Sequence, residues 1–349
     1  MLRVVFLVFG VLAVFVLHPE AFGAGSVLEI WNRWDAPHFF EVARYGYGPP
    51  ADPARIVLFP LFPALIRIGS LVASPLLAGM VLSFVSTLAA AAGLYLLARL
   101  DDARPTARNA VLAMSIFPTA FTLVAPYSEA PFLAFTVWSF LAARHGRWPA
   151  AGAFALLAGA TRIQGAFILP ALVVEYWLAN GRLRRDALWL LLAAGGPLIY
   201  LAINYATFGD PLFFLAVQRD VFKVSTVAPW TAIANAWSGV KVVQPSAQWV
   251  TVYLAPFVAL VVLAATMFWA AVAKRGRPSY AVYSALTLFS FLTLSWPISV
   301  PRYLMGVFPI FLAAAGLGRR RWLGTPALVF SVMLLGVATT LFVSGQWAF

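Results

Sequence analysis

The chain has 349 residues, of which 62% are hydrophobic and only 10% are charged, and its mean hydropathy is +0.88. Apolar runs recur along its whole length, which excludes an ordinary soluble domain. The runs are continuous, whereas the strands of a membrane β-barrel alternate apolar and polar residues. The composition therefore predicts an all-α polytopic membrane protein.

The net charge of +12 would suit a nucleic-acid ligand, but the positions of the charges argue against one. Fourteen of the 24 basic residues lie in five short connectors between apolar runs. Basic connectors of this kind mark cytoplasmic loops, so the charge indicates orientation, and no nucleic-acid partner is predicted. The connectors contain Arg99, Arg104 and Arg108; Arg144 and Arg147; Arg182, Arg184 and Arg185; Lys274, Arg275 and Arg277; and Arg319, Arg320 and Arg321.

Eleven apolar segments are predicted to cross the membrane, which gives about 11 transmembrane helices. Residues 55–75 are left out of this count, because a span there would reverse the side of every later basic loop. They are predicted to form a juxtamembrane or re-entrant helix on the outer side. The first segment is predicted to be an uncleaved span, since residues 22–24 make a poor signal-peptide cleavage site. The predicted spans are residues 2–17, 76–98, 109–125, 130–143, 149–161, 165–180, 186–206, 249–273, 279–296, 303–317 and 325–344.

Two large outer loops follow from this topology, and the chain is predicted to form one membrane domain over residues 1–349. The first loop covers residues 18–75 and the second covers residues 208–248. Ionisable groups near a membrane usually face a cavity. Five of them gather on the predicted outer side: Asp35, His38, Glu129, Arg162 and Arg302.

Asp35 has a structural and a functional interpretation. Its position two residues before Pro37 suits the N-cap of a helix. On a helix that starts there, His38, Phe39 and Val42 follow at helical spacing and would form one partly polar, partly aromatic face. Such a face could hold a sugar.

Glu129 and the two arginines also have two interpretations each. Glu129 follows a tight turn and could simply cap the next helix, and either arginine could extend its charged end to the membrane surface. For Arg302 a ligand is favoured. An arginine followed by Tyr303 at a helix start presents a forked donor to a phosphate at headgroup depth.

Other chemistries have no support in the sequence. The chain contains no cysteine, and His18, His38 and His145 lie in unrelated places. There is no HExxH motif, no glycine-rich phosphate loop and no G-x-S-x-G motif. Neither a metal site nor a cofactor is predicted.

Five motifs, taken in order, resemble the PIG-V family, which comprises the GPI mannosyltransferase 2 enzymes and their bacterial relatives. WDAPHFFEVARYGY, from Trp34, resembles the family's WD-x-x-HF signature. The resemblance spans nearly the whole chain, but TRIQG lacks the small polar residue expected at position 163 or 164. The other four motifs are LFPLFPALIR at residues 58–67, APYSEAPF at 125–132, TRIQG at 161–165 and PRYLMGVFPIF at 301–311.

The resemblance implies a GT-C type glycosyltransferase fold with juxtamembrane helices in the first outer loop. It implies an inverting transfer of mannose from a polyprenyl phosphate to a hydroxyl of a lipid or glycan acceptor, such as a GPI-like glycolipid. Asp35 would act as the base, while Arg302, Arg162 and Tyr303 would bind the donor phosphate. The predicted substrate contacts are Trp34, His38, Phe39, Tyr127, Glu129 and Gln164.

The enzyme implied in this way would lie in the inner (plasma) membrane among membrane lipids, with its site on the extracytoplasmic side. The sequence leaves the acceptor, the identity of the hexose and the oligomeric state open. Two other functions remain: a flippase or transporter of lipid-linked sugars, and a non-catalytic subunit that presents substrate to a partner. Turnover of donor by the purified protein separates these alternatives from the enzyme.

Overall fold

The computed structural model describes residues 2–17, 27–242, 246, 248–274, 276–318 and 321–349. The candidate cleavage site at residues 22–24, His18, and the basic residues Arg275, Arg319 and Arg320 lie outside the described residues. Within the described ranges the chain is helical and forms no β-strand. Its α-helices are α1 (Leu2–Leu17), α2 (Asp35–Tyr45), α3 (Leu61–Gly69), α4 (Pro75–Arg99), α5 (Arg104–Ile116), α6 (Glu129–Arg144), α7 (Trp148–Thr161), α8 (Ile168–Asn180), α9 (Leu192–Phe208), α10 (Phe213–Asp220), α11 (Pro229–Val242), α12 (Ala255–Val272), α13 (Pro278–Leu292), α14 (Val300–Tyr303), α15 (Pro309–Leu317) and α16 (Arg321–Val343).

Five helical segments in the described residues are long and apolar enough to cross a membrane. A sixth candidate is the pair Val300–Gly306 and Pro309–Leu317, which is bent by 90°. Every apolar segment predicted as a span overlaps a helix, but the count of about 11 spans is not confirmed. Several of these helices are short: α7 has 14 residues, or about 21 Å, against a hydrocarbon core of about 30 Å. The five segments are Pro75–Arg99, Ile163–Asn180, Arg185–Phe208, Trp249–Val272 and Trp322–Val343.

Helices α4 and α6 lie side by side and run in the same direction. Near their starts, the Ser83 hydroxyl donates to the carbonyl of Tyr127 over 3.3 Å. Near their ends, Arg144 pairs with Asp101 over 2.7 Å. The bundle therefore has an end where Glu129 begins α6, called here the Asp35 end, and an opposite end, called here the basic end.

The first predicted outer loop folds into short helices that pack on one another. Phe39 and Phe62 meet edge to face, with ring centroids 4.9 Å apart, and join α2 to α3. Residues 55–75 contain no helix of span length, because α3 has only nine residues and is about 14 Å long. The segment therefore runs along the bundle end between α2 and the start of α4.

A buried ion network ties the helices together at the basic end. Glu175 of α8 is 2% exposed and accepts hydrogen bonds from Arg277, through Nε at 3.2 Å, and from the Ser279 hydroxyl at 2.6 Å. Arg144 lies 3.7 Å from the same carboxylate and forms two hydrogen bonds to Asp101. One carboxylate thus fixes α8 to α13 and α6.

We expect Glu175→Gln to lower the thermal midpoint of the purified protein strongly. The amide leaves Arg277 without its buried counter-charge, and losing one partner of a buried pair costs about 3–5 kcal/mol. Asp220→Asn is the matched control, because Asp220 pairs with Arg219 on an exposed surface and should leave the midpoint near the parental value. Equal midpoints for the two variants would contradict a stabilising role for the network.

Candidate active site

Asp35 lies at the start of α2, where the backbone takes an unusual conformation. Trp34 occupies the N-cap position with φ +55°, a value that is costly for a bulky residue, typically about 1–3 kcal/mol. Asp35 is the first helical residue, so it does not take the N-cap position that its structural interpretation required. Its backbone N–H donates to the Tyr127 hydroxyl over 3.4 Å.

The carboxylate of Asp35 pairs with Arg302. Arg302 is 4% exposed and lies in α14, where the Thr119 hydroxyl donates to the carbonyl of Pro301 over 3.0 Å. Its Nη1 lies 2.7 Å from Oδ2 of Asp35, and its Nε lies 3.0 Å from Oε1 of Glu129. Both contacts are ion pairs by distance. Both nitrogens are buried, and neither has a partner with hydrogen-bond geometry among the described residues.

Glu129 connects the two arginines. It is the first residue of α6 and is 1% exposed, and its Oε1 accepts a 2.7 Å hydrogen bond from Nη1 of Arg162. The same Arg162 nitrogen donates to the Ser128 hydroxyl over 2.9 Å. The carboxylate thus binds side chains instead of capping its helix. Both arginines are buried, with side chains 12% and 5% exposed, which argues against extension to the membrane surface.

Aromatic rings enclose the two guanidinium groups. The guanidinium carbon of Arg302 lies 4.6 Å from the ring centroid of Phe349, 5.0 Å from that of Tyr303 and 5.2 Å from that of Tyr127. Arg162 lies 4.6 Å from the Tyr303 ring. Cations over ring faces are stabilised by about 0.5–2 kcal/mol each. Tyr303 lies against both arginines and holds their spacing.

Tyr127 positions the start of α2 through two hydrogen bonds of its hydroxyl group. It is fully buried, and its hydroxyl donates a 2.9 Å hydrogen bond to the carbonyl of Arg33 while accepting the N–H of Asp35. Its ring also packs against the guanidinium group of Arg302. One side chain therefore sets the position of the two groups that form the Asp35–Arg302 pair.

The four ionisable residues form one chain of contacts, in the order Asp35, Arg302, Glu129, Arg162. Two negative and two positive groups balance, which reduces the large cost of placing charges away from water. Asp35 is the most accessible member, with its side chain 32% exposed. This chain of contacts, called here the Asp35–Arg162 network, reaches solvent at Asp35.

The face of α2 that helical spacing suggested for a sugar is buried. Phe39 is 4% exposed and Val42 is 6% exposed, since α3 and the bundle cover that side of the helix. Phe39 therefore has no free ring face for a sugar. His38 lies at the edge, where burial and the nearby Arg55 lower the pKa of its imidazole below the usual value.

The remaining predicted substrate contacts have separate positions. Trp34 is 36% exposed, and its indole meets that of Trp347 edge-on, with ring centroids 5.1 Å apart. Gln164 is 5% exposed, and its amide oxygen has no hydrogen-bond partner in the described part of the chain. Trp34 is thus placed near the network by its neighbour Asp35, while Gln164 is a buried polar group two residues after Arg162.

Two features of this site were not predicted from the sequence. Ser128 binds Arg162. Its position beside Glu129 in APYSEAP is a signal that would have identified it. Phe349 covers Arg302 and packs against Phe121 and Tyr127. No motif links residues 347–349 to the site, and only the fold of α16 brings them there.

Comparison with known proteins gives a fold likeness and no sequence relative. No protein-family model matches the chain, and no curated protein sequence matches it. Three solved chains match, all of an Archaeoglobus fulgidus oligosaccharyltransferase. The complex with zinc and sulfate has a TM-score of 0.50 and 13% identity, over 97% of this chain and 53% of that chain. The apo form has a TM-score of 0.44 and 14% identity, over 99% and 56%.

The chain spans about half the length of the enzyme that it resembles. The likeness extends over nearly all of this chain. At 13% identity it concerns the fold alone, and it does not show membership of the PIG-V family. The chain therefore has an all-helical fold like that of this solved oligosaccharyltransferase over about half of the enzyme's length.

Proposed function

We propose that the chain is a membrane glycosyltransferase that moves a mannose from a polyprenyl phosphate to a hydroxyl of a lipid or glycan acceptor. The observation that carries the proposal is the 2.7 Å contact between a partly exposed carboxylate, Asp35, and a buried guanidinium, Arg302. A proton acceptor beside a phosphate-binding group is what glycosyl transfer from a phosphate requires. The GT-C fold supports the reaction class, and the motif resemblance supports mannose.

Arg302 is the proposed ligand of the donor phosphate, with Arg162 and Tyr303 beside it. A guanidinium binds phosphate through parallel N–H donors, and two donors of Arg302 lack hydrogen-bond geometry to their present partners. Glu129 keeps both arginines in place from the opposite side. It acts as a positioning residue, since its oxygen contacts the guanidinium groups and not the reacting atoms.

The proposed step is a single displacement. The acceptor hydroxyl oxygen attacks the anomeric carbon, and the bond from that carbon to the phosphate oxygen breaks with its electron pair going to the phosphate. The hydroxyl proton passes to a carboxylate oxygen of Asp35, and the configuration at the anomeric carbon inverts. Arg302 stabilises the charge that develops on the departing phosphate.

Donor binding would also release Asp35. In this structure the carboxylate contacts Arg302, so a phosphate that takes over the guanidinium leaves Oδ2 of Asp35 without its cation. The oxygen then becomes available for the acceptor proton.

The proposed location is the inner (plasma) membrane, with the site facing the extracytoplasmic side. The support is the distribution of charge among the described residues: Arg99, Arg144 and Arg277 lie at the basic end, opposite the Asp35–Arg162 network. A lipid-linked donor suits this side, since it needs no nucleotide-sugar site. Among the described residues, no group of three or more His, Asp or Glu side chains could hold a metal ion.

We expect Asp35→Asn to abolish most of the transfer of mannose from a polyprenyl phosphate donor. The amide keeps the size of the side chain and can accept from Arg302, but it cannot take a proton. Loss of a general base typically lowers the rate by about 100-fold to 10,000-fold. Transfer is measured with purified protein, together with its thermal midpoint.

Asp52→Asn is the control for this experiment, because Asp52 is a capping carboxylate in the same loop. It should retain parental transfer. Near-parental transfer by Asp35→Asn would remove Asp35 as the base. Movement of the donor across a vesicle membrane by the parent, without any transfer, would favour the flippase.

We expect Arg302→Lys to weaken donor binding and to lower turnover by about 100-fold, the scale of losing one donor to a developing oxyanion. Lysine keeps the charge but loses the fork that binds a phosphate with two donors. Donor affinity and rate are measured separately. Arg219→Lys, on the exposed surface, is the matched control, and unchanged affinity in Arg302→Lys would exclude the phosphate role.

The proposed orientation is tested with single thiols, since the natural chain has no cysteine. The Asp52 side chain is 48% exposed, so a thiol in its place should be reactive. A membrane-impermeant reagent should label Asp52→Cys only from the extracytoplasmic side. Arg147→Cys, in the loop between α6 and α7, should react only from the cytoplasmic side. The reverse pattern would place the network on the cytoplasmic face.

A further inference from the structure

A second candidate binding site lies on the face of α2 opposite to the buried one. A surface cavity of about 530 Å³ separates the last turns of α2 from α3 and the start of α4. Its walls are apolar at Phe40, Tyr45 and Pro75 and polar at Arg44, Arg67 and Ser70. Arg44 follows Asp35 by nine residues, which is about 14 Å along the helix. The cavity is therefore distinct from the Asp35–Arg162 network.

The two arginines of the cavity have no carboxylate partner in the described ranges. Arg67 makes a long 3.5 Å contact to the carbonyl of Ala43, and Arg44 lies 5.1 Å from the ring centroid of Tyr45. The acidic residue that lines the cavity, Glu41, is bound to Arg55 over 2.6 Å. The cavity thus carries two positive charges that an anion could neutralise.

The residues next to the cavity indicate a position at the membrane surface. Ile68, Leu71 and Val72 are 63%, 81% and 92% exposed. Ile68 lies in the last turn of α3, and Leu71 and Val72 lie in the short connection to α4, which is long and apolar enough to span a membrane. Exposed apolar side chains at such a position enter the acyl region, which puts flanking arginines at headgroup level.

We propose that this cavity binds the phosphate of an anionic membrane phospholipid. Arg44 and Arg67 contact the phosphate, while Leu71 and Val72 lie among the acyl chains. The lipid would hold the end of α2 against α3 and so fix the helix that carries Asp35. This inference does not depend on the proposed glycosyl transfer.

The test compares retention of phosphatidylglycerol and phosphatidylcholine by the purified protein, measured by native mass spectrometry. The parent should retain phosphatidylglycerol preferentially. The double variant Arg44→Gln, Arg67→Gln should lower that affinity about 25-fold, from about fivefold for each basic residue at an anionic surface. Arg219→Gln, another exposed arginine, is the control and should keep the parental affinity. Equal retention of both lipids, or an unchanged double variant, would overturn the proposal.

A second arm separates a lipid from a free phosphate. Leu71→Ser, Val72→Ser should weaken phosphatidylglycerol binding, because it removes the apolar contacts and keeps both arginines. Inorganic phosphate should displace the lipid only at concentrations far above those of the lipid itself. Displacement at matched concentrations, with no effect of the serine variants, would show a free-phosphate site and overturn the lipid assignment.

Discussion

The guanidinium of Arg302 is the group on which the Asp35 end of the bundle depends. It is 4% exposed in a protein whose surroundings are largely apolar, and a buried cation without counter-charges would destabilise the fold by several kcal/mol. Two carboxylates compensate it, one from the start of α2 and one from the start of α6. The first loop must therefore fold back onto the bundle. Tyr127 fixes its position through hydrogen bonds to the backbone of Arg33 and Asp35.

This arrangement stabilises the site and also allows an anion to replace one carboxylate at Arg302. Glu129 is buried and shared by two arginines, so it stabilises Arg302 whether or not Asp35 is present. Asp35 is the more exposed partner and the one that an incoming phosphate can replace. The proposed chemistry uses that difference: one carboxylate stays as a support while the other is released as a base.

The sequence predicted the membrane class and a gathering of Asp35, His38, Glu129, Arg162 and Arg302, because ionisable groups near a membrane usually face a shared cavity. All of them except His38 form the Asp35–Arg162 network. It failed for Phe39, since helical spacing gives a face but not what covers it, and here α3 covers it. Phe349 carried no signal, because its contact with Arg302 arises from the path of α16. The span count is not confirmed because apolar composition marks helices without giving their lengths, and α7 is shorter than a straight span.

The central claim is that a donor phosphate takes Arg302 away from Asp35. A structure of the protein with a non-transferable polyprenyl phosphate sugar analogue, solved by cryo-electron microscopy, tests it directly. We expect phosphate oxygens about 2.7–2.9 Å from the Arg302 guanidinium, with Asp35 moved beyond about 4 Å from it and Glu129 still in contact. A phosphate bound elsewhere, with the Asp35–Arg302 pair intact, would rule out this exchange of partners.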